Sequence, residues 1–339
     1  MKLFPTQNII LAILILIISS PSTASVFAER PEVKTFIQQM VDKHGFEKAK
    51  LTKLFQQFET SEEIIKKISH PYEEKPWHHY RKVFVTKKRI LEGVKFWEKY
   101  EYSLKKAKKD FGVPPEIIVA ILGAETFYGK TKGEYPVLQA LSTLAFDYPK
   151  RGAFFLSELE QYLLLTREQR LPADKIKGSY AGAMGWPQFI ASSYRNFAID
   201  FAKVGKIDLM NNAQNAIGSV ANYFKINGWQ PNQPIAYKAI IRGKKYKQLK
   251  LAGQQNPKPT LSLYTLKKYN ILPSNSKIND LSTQVSLMEL DTGKNKEYWL
   301  GRNNFYVITR YNHSTNYAMA VYELSQQIAK EYHKKTRKH

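Results

Sequence analysis

Apolar residues recur at helical spacing from the first third of the chain onward. Phe36, Ile37, Met40 and Val41 share one face, as do Leu51, Leu54, Phe55 and Phe58, so helices are predicted through residues 31–110. Pro71 and Pro76 interrupt this stretch, and a longer helix is expected from about Thr86 to Asp110. Gly112-Val113-Pro114-Pro115 is a stop, with Pro115 suited to the first turn of the next helix. Helical periodicity then runs to about Gly228, with Gly-rich connections between Gly178 and Gly185. Beyond it the texture changes. Residues 235–241 and 285–290 read as short strands, and Asp291-Thr292-Gly293 as a hairpin turn into Glu297-Tyr298-Trp299-Leu300. Residues 305–308 extend the strand pattern. A closing helix is predicted from Tyr317 to Lys330, followed by a loose basic end.

A length of 339 residues accommodates two domains, or one large domain with an insertion. With 43% hydrophobic and 24% charged residues, the chain reads as globular and neither disordered nor coiled coil. Charge is lopsided: 52 Lys+Arg against 29 Asp+Glu give +23. Such a field favours polyanions, whether nucleic acid, anionic lipid or carboxylate-rich cell wall. The local clusters at Lys105–Lys109 and in the tail read as solvated surface rather than as dedicated sites. No recognised nucleic-acid motif accompanies the charge, which argues against that partner.

The N-terminus points to export. Lys2 supplies a short positive region, residues 9–18 are uninterruptedly apolar, and Val26-Phe27-Ala28 ends on a small residue before Glu29-Arg30. The apolar run is about half the ~20 residues needed to span a bilayer, so a cleaved signal peptide is expected over residues 1–28, with no integral span after its removal. There is no cysteine, which excludes disulfides, thiolate metal sites, a cysteine nucleophile and an acylated lipoprotein anchor.

The most informative segment for chemistry is residues 115–125, apolar almost all round and therefore expected to be buried. Glu125 lies four residues after Ile121 and three after Leu122, so its carboxyl continues the apolar stripe. Desolvation disfavours an ionised carboxylate and suits a general acid. Periodicity leaves two readings equally open: an acid at a cleft wall, or a structural Glu paired with a Lys or Arg. Gly178-Ser179-Tyr180-Ala181-Gly182-Ala183-Met184-Gly185-Trp186-Pro187-Gln188-Phe189 combines glycines that permit close backbone approach with polar and aromatic groups that could hold a ligand. Residues 146–151 and 309–314 are aromatic and polar clusters of the kind that stack on sugar rings.

Taken in order, these motifs resemble the lytic murein transglycosylases of the membrane-bound type B family, which have a lysozyme-like core. The resemblance covers nearly all of the expected mature chain. It is carried by Pro76-Trp77…Tyr80-Arg81, Val113-Pro114-Pro115-Glu116-Ile117-Ile118, Glu125-Thr126-Phe127-Tyr128-Gly129, the 178–189 run, Val220-Ala221-Asn222-Tyr223-Phe224…Asn227-Gly228-Trp229, and Thr309 to Ser314 with Tyr317-Ala318-Met319. The fold implied is mainly α (α+β): a helical domain plus a lysozyme-like catalytic core with a small inserted β-rich domain. Its expected boundaries are 29–110 for the helical domain, 111–230 for the core and 231–300 for the β-rich module. A return segment and C-terminal helix follow over 301–331, and a basic tail over 332–339.

The resemblance implies that Glu125 is the single catalytic acid/base. It implies that Ser179, Gln188, Phe189, Tyr311, Asn312 and Tyr317 line the groove, and that Tyr80 and Arg151 contribute to glycan binding. The substrate would be peptidoglycan glycan strands, cut at the MurNAc-β-1,4-GlcNAc bond with a 1,6-anhydro product. No cofactor or metal is implied, and the protein would be an exported, soluble, periplasmic monomer, with other cell-wall enzymes as candidate partners. The residue inventory agrees: glycosidases ordinarily use two carboxylates, and neither Glu116 nor Asp147 qualifies as a second. Three departures stand out. Lys150 replaces a second arginine frequent in the family, and the acylated cysteine is missing. Some members bind calcium in an EF-hand-like loop, whereas here Asp200-Phe201-Ala202-Lys203-Val204-Gly205-Lys206-Ile207-Asp208 has apolar residues at two ligand positions, so no calcium is expected. A hydrolytic muramidase and a non-catalytic peptidoglycan-binding protein remain as rival readings.

Overall fold

The computed structural model describes residues 27–70, 75–249, 251–252, 257–275 and 280–337. Most of the expected signal segment lies outside the described residues. Two compact units divide the chain after Glu59.

In the first unit, α1 (Pro31–His44) and α2 (Lys48–Phe55) enclose Val33, Phe36, Ile37, Met40, Leu51 and Phe55. Gly45 ends α1 in the left-handed conformation, its N–H returning to Val41. Phe27 and Ala28 were expected to leave with the signal peptide. Both are buried in this unit, and the Phe27 ring lies 5.2 Å from Phe58 and 6.4 Å from Phe55.

The second unit begins with α3 (Glu62–Ile68), α4 (Trp77–Phe84), α5 (Lys87–Lys99) and α6 (Glu101–Phe111). The expected domain boundary at residue 110 therefore does not coincide with the division between compact units. α5 and α6 pack against α7 (Pro115–Thr126), because Val94, Phe96, Trp97, Leu104 and Ala107 share one core with Ile117–Leu122. The helix α7 has Pro at its first position and is buried along nearly its whole length. Next come β1 (Tyr135–Pro136), α8 (Val137–Asp147), α9 (Gly152–Glu168), β2 (Lys177–Gly178), α10 (Ala191–Phe197) and α11 (Ala213–Ile226). The strands β1 and β2 pair antiparallel, with Tyr135 opposite Gly178.

The β-rich module is present, as β3 (Ala236–Ile241), β4 (Leu261–Ser262), α12 (Leu263–Lys268), β5 (Ile271–Pro273), β6 (Gln284–Asp291) and β7 (Lys296–Gly301). Its strands order as β4-β6-β7-β3-β5, all antiparallel, around Leu263, Leu266, Ile271, Val285, Leu287 and Leu300. The expected hairpin closes with Asp291 opposite Lys296, and the Asp291 carboxylate accepts from Gly293 N–H at 2.7 Å.

Three expectations fail. The single helix expected from about Thr86 to Asp110 is two, α5 and α6, broken at Tyr100. Residues 305–308 are not a strand but lie in α13 (Asn303–Tyr311). Phe305, Ile308 and Thr309 fall on one buried helical face, and Asn304 anchors the helix by donating to Gln230 O and Gln233 O. The closing helix α14 (Thr315–Thr336) overruns the expected loose tail: Tyr332 is buried and stacks on Trp97 at 4.2 Å and 9°. Thus α14 packs along α7, α5 and α4, spanning the second unit's helical core. The fold class is mainly α with a small antiparallel sheet, as expected.

Candidate active site

The C-terminal turn of α7 delivers Glu125, half-buried, to the edge of the core. The residues after it turn sharply. Thr126 Oγ1 donates to Trp186 O at 2.9 Å and accepts from Gly129 N–H at 2.9 Å, which ties this turn to the 178–189 loop. Gly133 makes the second tie. Its φ is +91°, and a Cβ there would lie 2.1 Å from the carbonyl of Gly178, so only glycine lets the two backbones touch.

From the far end of the sequence, α14 brings Tyr317 to Glu125, and the hydroxyl donates to Glu125 Oε1. Its N-cap is Ser314, whose Oγ accepts from Tyr317 N–H at 3.2 Å, so the tyrosine sits in the first, well-fixed turn. Tyr311 stacks parallel to Tyr317 at 6.5 Å and 8°, and its hydroxyl donates to Pro187 O at 2.6 Å. Burial pushes both hydroxyls well above the ordinary tyrosine range, and the nearby Glu125 charge pushes them further. Both therefore stay protonated, and Tyr317 remains a donor to Glu125 in either state of the acid.

The other expected residues divide into three groups. Phe189 is buried against Tyr311 at 5.8 Å and Tyr223 at 5.7 Å, so it belongs to the aromatic wall. Tyr80 is buried on α4, stacks on Phe84 at 4.6 Å, and lies near enough to Tyr317 to act on its hydroxyl. Ser179 and Gln188 shape the loop. Ser179 Oγ accepts from Ala181 and Ala183 N–H at 3.2 and 3.1 Å, and Gln188 Nε2 donates to Lys132 O at 3.1 Å and Gly185 O at 2.9 Å.

Asn312 follows Tyr311 and ends α13. Arg151 is the outlier, exposed at the start of α9 with its guanidinium 4.3 Å from the Phe154 ring. Its charge is felt at the 310–313 segment: burial lowers the His313 pKa, and the charges of Arg310 and then Arg151 lower it further. Sequence reasoning missed Tyr223 as a wall residue. Its hydroxyl donates to Arg310 O and its ring lies 4.9 Å from Tyr311. It appeared only inside a matching motif, with no polar signature of its own.

Glu116 sits nine residues before Glu125 on the same helix, about 14 Å along the axis at 1.5 Å per residue. Glu125 is the carboxylate whose charge acts on both tyrosine hydroxyls among the described residues.

The calcium loop of some relatives does not fit here. Asp200 spends its oxygens on Val204 N–H at 3.1 Å and Gly205 N–H at 2.7 Å. Asn215 Nδ2 donates to Lys206 O at 3.0 Å, and Ala202 N–H donates to Asn215 Oδ1 at 2.9 Å. Ala202 and Val204 offer no side-chain oxygen.

The site thus centres on one half-buried carboxyl at the end of a buried helix, hydrogen-bonded by a tyrosine from a distant helix. Known proteins carry the same arrangement of chain. The transglycosylase SLT domain matches residues 28–326. Membrane-bound lytic murein transglycosylase B of Escherichia coli (strain K12) is 40% identical over 314 residues, 89% of this chain and 84% of its own. The catenated lytic transglycosylase SltB1 of Pseudomonas aeruginosa superposes with a TM-score of 0.84 at 42% identity, over 90% of this chain and 99% of its own. SltB3 of Pseudomonas aeruginosa, solved in complex with NAG-anhNAM-pentapeptide, gives 0.75 at 27% identity, over 88% and 79%. The chain belongs to the lytic transglycosylase family with the SLT domain.

Proposed function

We propose that this protein is a peptidoglycan lytic transglycosylase that uses Glu125 as its one acid and base. The observation that carries this reading is the half-buried Glu125 carboxyl at the end of the buried helix α7, accepting a hydrogen bond from the Tyr317 hydroxyl. Protonated Glu125 gives its proton to the glycosidic oxygen as the bond to C1 of the muramic sugar breaks. The resulting carboxylate, steadied by the Tyr317 hydroxyl, accepts the proton of the C6 hydroxyl as O6 closes on C1. No water is consumed, and a 1,6-anhydro end results. SltB3 of Pseudomonas aeruginosa was solved with NAG-anhNAM-pentapeptide and with NAG-NAM-pentapeptide, which supports peptidoglycan strands as the substrate class.

Phe189, Tyr223 and Tyr311 supply an aromatic wall, with Tyr80 behind Tyr317. Ser179 and Gln188 shape the 178–189 loop, Asn312 follows Tyr311 at the end of α13, and the exposed Arg151 would meet a stem-peptide carboxylate. The positive field suits the carboxylates of the wall.

The chain acts as an exported, periplasmic monomer. Its leader is the signal peptide read over residues 1–28. Among the described residues no helix is long and apolar enough to cross a membrane.

The decisive test is mass spectrometry of muropeptides released from purified sacculi. Wild-type protein yields anhydro-muramyl ends, and Glu125→Gln yields none above background. Products heavier by one water would make the enzyme a hydrolytic muramidase. Undiminished release by Glu125→Gln would make it a non-catalytic binder.

A further inference from the structure

The backbone on both sides of Glu125 is held by one residue that no motif marks. Arg89 occupies the first turn of α5, where a cation opposes the helix dipole. Its guanidinium instead reaches the C-terminal ends of two other helices, where a cation is favoured. Nε donates to Gly123 O of α7 at 3.0 Å, and Nη1 donates to Phe84 O of α4 at 3.2 Å and to Val83 O. The Gly123 contact lies two residues before Glu125.

Arg89 also acts just after Glu125. Phe127, Tyr128 and Gly129 have φ of +49°, +61° and +81°, a run of left-handed residues of which two are not glycine. Such a turn persists only where the surroundings over-determine it. The Phe127 ring lies 5.3 Å from the Arg89 guanidinium, with Lys88 and Lys130 at 5.7 and 5.2 Å. The Tyr128 hydroxyl donates to Arg89 O at 2.8 Å. It needs glycine on two neighbours to get there, since a Cβ at Gly93 or Gly123 would lie 2.5 Å from that oxygen.

We propose that Arg89 is a positioning residue for the reaction. By fixing Gly123 before Glu125 and Phe127 and Tyr128 after it, it sets the direction of the acid without touching substrate. This rests on Glu125 being the acid. A misplacement of about 1 Å costs roughly a hundred-fold in rate, so the effect falls on turnover rather than on binding.

The test compares full-length Arg89→Met, Arg89→Gln and Arg89→Lys with wild type on sacculi, with circular dichroism and thermal melts alongside. For Arg89→Met, kcat is expected to fall about ten- to hundred-fold with KM within about two-fold and the protein folded at assay temperature. Arg89→Gln, which keeps one donor for Gly123 O, and Arg89→Lys, which keeps the cation beside Phe127, are expected to recover part of kcat. Unchanged kcat in folded Arg89→Met, or losses across the three variants that follow the melting temperature alone, would overturn the proposal. Glu125→Gln run in parallel separates the two readings: if it is inactive while Arg89→Met is fully active, only the Arg89 role is lost. If Glu125→Gln is active, both are lost.

Discussion

The acid and its tyrosine partner stand 192 residues apart in sequence, which explains what could and could not be read at the residue scale. Glu125 stood out because it continues an apolar helical stripe, although that pattern left a structural, ion-paired Glu equally open until the surrounding motifs were matched. Its pairing with Tyr317 was not, since nothing local in either segment points to the other, and only resemblance put both in one groove. Arg89 was invisible for the opposite reason: in Lys87-Lys88-Arg89 it reads as one more surface cation. The Tyr317 hydroxyl is the group whose loss should be most telling. Tyr317→Phe keeps the ring stacked on Tyr311 and removes a hydrogen bond to a charged partner, a contact that contributes about 1.5–3 kcal/mol. The expected result is a ten- to hundred-fold fall in kcat by that energy, with the melt lowered by no more than about 10 °C and the protein folded at assay temperature. Steady-state kinetics on sacculi check it, and an unchanged kcat would show that Tyr317 merely fills space.

At the scale of elements, alternation made β3, β6 and β7 legible to within about one residue at each end, while residues 305–308 misled. Four consecutive apolar or aromatic residues fit strand and helix alike, and the anchoring of Asn304 by two distant carbonyls decides for helix. The end of α14 was missed because one buried tyrosine among lysines carries no periodic signal. The 200–211 loop offers a cation little, since Ala202 and Val204 carry no side-chain oxygen. Asn215 clasps its backbone at Ala202 and Lys206, positions that a bound ion would otherwise organise. Millimolar calcium or a chelator is therefore expected to leave the melting temperature unchanged, because a ligand stabilises only the state it binds. Asn215→Ala leaves a buried N–H and a carbonyl unpaired and should lower the melt by about 5 °C or more, with no rescue by calcium. Differential scanning calorimetry decides, and a calcium-dependent rise in wild type would mean that the loop binds the ion after all.

For the whole molecule, charge and buried tyrosine act together on stability. Many described carboxylates are ion-paired to surface lysines, as in Glu92 with Lys95 and Lys130, and exposed pairs of this kind contribute little. The buried tyrosines matter more. Burial pushes Tyr194 and Tyr223 up to about 12, and raises Tyr128, Tyr162, Tyr311 and Tyr317 as well. A group whose folded pKa exceeds its unfolded value keeps its proton in the native state after the unfolded chain has lost it. Native protein then binds more protons than unfolded, so stability falls as pH rises. The contribution is intact below about pH 10, the ordinary tyrosine value, and is lost as pH climbs toward the folded values. Easing of the +23 repulsion as lysines discharge opposes this, but it is spread over a screened surface while the tyrosine effect sits in the core. The melting temperature is therefore expected to hold to about pH 9.5 and then drop steeply. Tyrosinate absorbance from the buried set should appear only in step with loss of helical circular dichroism. If that absorbance develops fully while helicity is retained, the aromatic wall around Glu125 is more open to solvent than its burial implies.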